Sequence, residues 1–224
     1  MGLAPVQSWY LFWLGLAVGV SILALSAYVA ISPHWLRMLL VAAGCLTASR
    51  YLAMALFAID PDPAPLWLWK RLWFASSFGL TFPSLVALDQ LIRHPAMSPR
   101  KLVAWFSPFL LVYGGVFLFG RFELRDDPVR GISPGLIGWG LGTLALAQAA
   151  FVLGFLALGV MLIRMIRSRR IRLALLGLML AQGYLGFDGL LVSLGRWYSW
   201  PFLFSEILAL LAIWFAINSA SQNL

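Results

Sequence analysis

Charge is scarce in this chain, as are the side chains that most metal, redox and nucleophilic chemistry requires. Only 11% of the 224 residues are Asp, Glu, Lys or Arg, against 62% hydrophobic, which leaves no stretch polar enough to enclose a sizeable soluble domain. There is one cysteine, Cys45, so a disulfide framework and an internal thiol pair are both excluded. Within an apolar run it reads as a small buried residue. The two histidines, His34 and His94, fall at connectors beside Pro33 and Pro95. Neither shares a helical face with another ligand at metal spacing, so no metal, haem or other cofactor is expected from this chain alone.

Other absences narrow the chemistry further. The stretch from Trp200 to Asn218 has no lysine, which removes the Schiff-base partner of an opsin-like pigment. No serine lies in a Gly-x-Ser-x-Gly turn, so a nucleophile elbow is missing. Intramembrane histidines, needed by zinc hydrolases of the membrane, are missing too. The expectation is a protein that is not an enzyme.

What the chain has in abundance is long apolar runs. Seven of them, at 8–31, 35–58, 66–92, 102–120, 136–166, 171–194 and 200–218, reach or approach the roughly 20 residues a helix needs to cross a bilayer. The fold expected is all-α, a single polytopic domain of seven transmembrane helices over residues 1–224. No basic segment precedes the first run and it is longer than a usual signal-peptide core, so it reads as a true span.

Basic residues set the expected orientation. With the N-terminus outside, the inner connectors hold Arg37, then Arg93, Arg100 and Lys101, then Arg164, Arg167, Arg169, Arg170 and Arg172. The outer side holds Lys70, Arg71, Arg121, Arg125, Arg130 and Arg196, with Asp60, Asp62, Glu123, Asp126 and Asp127 among them. The excess of Lys and Arg places the C-terminus inside, in the inner membrane of a bacterium. The Arg164–Arg172 block reads as an anchor to anionic headgroups rather than a nucleic-acid patch.

A few ionisable groups fall inside the spans, where charge is expensive and usually functional. Arg50 lies 13 residues past Arg37 and Asp188 lies 16 past Arg172, or about 20 and 24 Å along their helices. Glu206 lies six past Trp200, about 9 Å in from the outer boundary. All three come out at similar depth, so they are expected to face one another. Lys70 and Arg71 enter the third span from the same side, and Gln148, Gln182 and Tyr184 extend a polar seam inward. Two readings stay open: an ion pair that fixes helix register, or a ligand or ion site. Asp89, four residues before Arg93, is expected to form a helical pair.

Small residues and prolines punctuate the runs. Gly15 and Gly19, and Gly138 and Gly142, have the spacing that lets backbones approach, within this chain or toward a partner. Pro83 and Pro108 are expected to kink the third and fourth spans. Leu36-Arg37-Met38 and Ile171-Arg172-Leu173 begin the second and sixth runs alike, a hint of the internal repeats found in transporters.

The sequence Trp69-Lys70-Arg71-Leu72-Trp73, then Phe82-Pro83, a basic connector, and Arg164 to Arg172 leading into the sixth run resembles the seven-helix N-terminal region that bacteria fuse to histidine kinases and cyclases. The resemblance covers about 8–218 and rests on span length and punctuation. It implies a sensor whose helices feed a cytoplasmic output. No output domain follows in these 224 residues, so the expected output runs through a membrane-protein partner or a homo-oligomer. The alternatives are an accessory subunit of a larger membrane complex and a small transporter.

Overall fold

The chain folds into a bundle of long apolar helices, seen in a computed structural model that describes residues 5–60, 64–92, 98–127, 131–193 and 203–222. In order these are α1 (Pro5–Tyr28), α2 (His34–Ile59), α3 (Leu66–Leu72), α4 (Ser76–Ile92) and α5 (Pro99–Phe119). A hairpin of β1 (Arg121–Asp127) and β2 (Gly131–Ile137) follows, then α6 (Trp139–Ile163), α7 (Arg169–Ser193) and α8 (Phe204–Ser221). Taking α3 and α4 as one interrupted span, seven helices among the described residues are long and apolar enough to cross a membrane.

Neighbours in sequence pack side by side, and α8 returns to α1, which closes a ring. Within it α4 meets α2, α5, α6, α7 and α8. That placement accounts for the uneven burial of the spans: 67% of the most apolar stretch of the third span is buried, against 22% for α5 and for α6. The exposed faces carry Phe12, Ile22, Leu111, Leu146, Leu153 and Leu180, as lipid-facing helices do, since hydrocarbon offers no penalty to them. Phe78, Phe82, Phe106, Phe109, Phe151 and Phe155 form a continuous set of ring contacts joining α4, α5 and α6.

Close backbone approach is made at other glycines than the two spaced pairs. Gly79 of α4 lies against α2, where an added Cβ would sit 2.8 Å from the Ala43 carbonyl and collide with the Thr47 hydroxyl. At Gly15, Gly19, Gly138 and Gly142 no atom of a packed neighbour among the described residues lies within 4 Å of such a Cβ. Gly138 instead supplies a positive φ of 65° at the start of α6, a conformation that side chains disfavour.

Three local features depart from the expected pattern. The third span is interrupted at residues 73–75, ahead of Pro83, which lies inside α4; Pro108 lies inside α5. The polar connector after the fourth span pairs as an antiparallel hairpin, Arg121 opposite Ile137 through Asp127 opposite Gly131, so α6 begins at Trp139 rather than 136. Cys45 is exposed on the outer surface of α2, not buried. The partner expected for Asp89, Arg93, lies outside the described residues, as does His94.

One parallel between the halves is visible. Arg37 Nε donates to the Ile31 carbonyl at 3.2 Å and Arg172 Nη2 donates to the Ile166 carbonyl at 2.7 Å. Each arginine reaches back six residues and closes the turn that leads into its own helix.

Candidate functional site

The site begins with the break between α3 and α4. Across it the backbone tightens to i−3 bonds, Phe74 to Arg71, Ala75 to Leu72 and Ser77 to Phe74. The carbonyl of Trp73, which a continuous helix would bond to Ser77, accepts a hydrogen bond from Arg50 Nη1 on α2 instead. Non-helical backbone inside an apolar slab is tolerated where protein groups satisfy it, and here a guanidinium does so.

The same guanidinium grips Glu206 of α8. Arg50 Nη2 pairs with Oε1, and Nε donates to Oε2 at 3.2 Å. The two-pronged geometry is what a planar guanidinium offers a carboxylate and an ammonium cannot. Both side chains are largely shielded, 13% and 10% exposed. Glu206 occupies the first turn of α8, closer to the helix end than its position in the apolar run implies. There the positive end of the helix dipole favours its charge.

Asp188 of α7 stands beside this pair. Its Oδ2 accepts a hydrogen bond from the Ser205 hydroxyl at 2.6 Å, and its Oδ1 is buried with no hydrogen-bond partner among the described residues. Arg50, Glu206 and Asp188 all line one cavity of about 270 Å³. Gln148 of α6 reaches the same cavity and accepts a hydrogen bond from Tyr113 of α5 at 2.9 Å. Apolar side chains complete most of the wall, with Tyr10, Trp73 and Phe74 providing aromatic surface.

The remaining sequence candidates are placed elsewhere. Arg71 turns to the end of α5, donating to the carbonyls of Phe117 at 2.9 Å and Leu118 at 3.3 Å, and lies over the rings of Trp67 and Phe122. It satisfies carbonyls left free at a helix C-terminus and ties α3 to the hairpin. Lys70 does not line the cavity. Gln182 donates to Ser84 Oγ at 2.6 Å in a buried α4–α7 contact. Tyr184 packs edge-on against Phe204, beside a shallow apolar depression on the other side of α7. The expected seam is not continuous: Gln182, six residues before Asp188 and about 120° around α7 from it, meets Ser84, while Tyr184, though one turn from Asp188, meets Phe204 and does not line the cavity.

Sequence reasoning did not anticipate Trp73, Ser205 or Tyr113. Ser205 precedes Glu206 directly, and that adjacency was the available cue. Trp73 acts through its carbonyl, which no side-chain pattern reveals. Among the described residues no three His, Cys, Asp or Glu side chains come together. Comparison with protein-family models and with curated proteins finds no match for this chain.

Proposed function

We propose that this chain is a non-enzymatic seven-helix protein of the bacterial inner membrane, of sensor or receptor type. Its cavity takes a small ligand from the outer side, and a partner carries the output. The observation that carries this reading is the cavity itself. Three charged groups from three helices, Arg50 and Glu206 paired and Asp188 beside them, line about 270 Å³ of space next to an interrupted span. A pair that served register alone would need no such space. The N-terminus lies outside and the C-terminus inside in this reading, because the basic excess, Arg164 to Arg172 above all, belongs to the inner connectors. The resemblance to kinase- and cyclase-linked sensor regions agrees with it.

An accessory subunit of a larger membrane complex is the second reading. Gly15, Gly19 and Gly142 have open space over them, which suits close approach by a helix of another chain. Purification in mild detergent, with associated chains identified by mass, separates the two. A sensor is expected as a monomer or homodimer with a signalling partner below equal stoichiometry. A fixed equimolar complex whose loss of one member destabilises this chain would reject the sensor.

A further inference from the structure

The geometry points to a small organic ammonium ion, with an apolar or aromatic body, as the ligand of this cavity. The inference rests on the pocket reading above and adds the ligand's charge. Three charged side chains line the space, and Arg50 is committed to Glu206 through two hydrogen bonds and to the Trp73 carbonyl through a third. That leaves Asp188 as the uncompensated charge. Ser205 donates to one of its oxygens, and the other is buried with no partner among the described residues.

A carboxylate in a low-dielectric wall attracts a cation more strongly than it would in water. The surface around it is chiefly apolar and includes Trp73, Phe74 and Tyr10, whose ring faces also favour positive charge. An inorganic cation would require several oxygen ligands converging on one point, and among the described residues no three His, Cys, Asp or Glu side chains come together. An organic ammonium needs one carboxylate and an apolar wall. The space is slightly below the roughly 300–1,000 Å³ of pockets for drug-sized molecules, so the ligand is small. An anion would have to displace Glu206 from Arg50.

The test uses the full chain in mild detergent, with Cys45→Ala and a single thiol at Ser77→Cys on the cavity wall. Trimethylammonium and sulfonate forms of the same thiosulfonate reagent are compared. The cationic form is expected to react at least about tenfold faster, after correction for free-thiol reactivity, a factor worth about 1.4 kcal/mol. Asp188→Asn should remove that preference, and millimolar 2-phenylethylammonium should slow labelling where phenylacetate and 2-phenylethanol do not. Equal rates, or a preference for the sulfonate or for protection by phenylacetate, would overturn the ammonium assignment while leaving the pocket in place. Failure of both reagents to reach the thiol would overturn the pocket as well. If Asp188→Asn does not fold, the rate ratio and the protection in the parent chain still decide.

Discussion

Arg50 and Glu206 are 156 positions apart in the chain, yet they meet as a two-pronged ion pair whose third arm holds the broken third span by the Trp73 carbonyl. Breaking such a pair from one side is costly because a charge remains buried without its partner. Arg50→Met alone is expected to destabilise by about 3–5 kcal/mol. Arg50→Met with Glu206→Met should recover much of that loss. Reversible unfolding in mixed detergent measures both, and a double variant no more stable than Arg50→Met would contradict the pairing.

Gly79 and Gly15 should respond in opposite ways to the same change. A Cβ at Gly79 meets the Ala43 carbonyl at 2.8 Å, while at Gly15 it meets nothing within 4 Å. Gly79→Ala is expected to cost about 1–3 kcal/mol by forcing α2 and α4 apart. Gly15→Ala should stay within about 0.5 kcal/mol in the isolated chain. Melting of the two variants in one detergent checks the contrast, and equal stability would show that α2 and α4 are less tightly apposed.

Arg71→Lys tests whether planarity or charge holds the hairpin. The native side chain donates through Nε and Nη2 to two successive carbonyls of α5 and lies over two rings, which an ammonium cannot reproduce together. Faster amide exchange is expected at the end of α5 and in β1, with α7 and α8 unchanged. Unaltered exchange in β1 would reject the clamp.

Orientation is open to direct labelling. In a chain with Cys45→Ala, thiols introduced as Asp127→Cys and Ser168→Cys should react with impermeant reagent from the outer and inner side respectively. The removal of Cys45 matters because that residue is exposed. The reverse pattern would overturn the charge-based orientation.

The spans themselves are legible in the sequence, since hydropathy adds residue by residue and a helix satisfies its own backbone whatever surrounds it. The run at 66–92 shows where this stops. Nothing in its composition marks residues 73–75 as the interruption, because the alternative partner of the Trp73 carbonyl belongs to α2. The hairpin had a faint cue, the alternation of Arg121, Phe122, Glu123, Leu124 and Arg125. It is held by contacts of Phe122 with Phe74 and Arg71, which no local pattern contains.

Depth along the chain, counted at a constant rise per residue, was enough to bring Arg50, Asp188 and Glu206 to one level of the bundle. Which carboxylate the arginine takes was not, since that depends on how each helix is rotated about its axis and on how α4 is seated inside the ring. Those rotations are fixed by packing among helices distant in sequence. They give Glu206 to Arg50, Asp188 to Ser205, and leave a cavity between them.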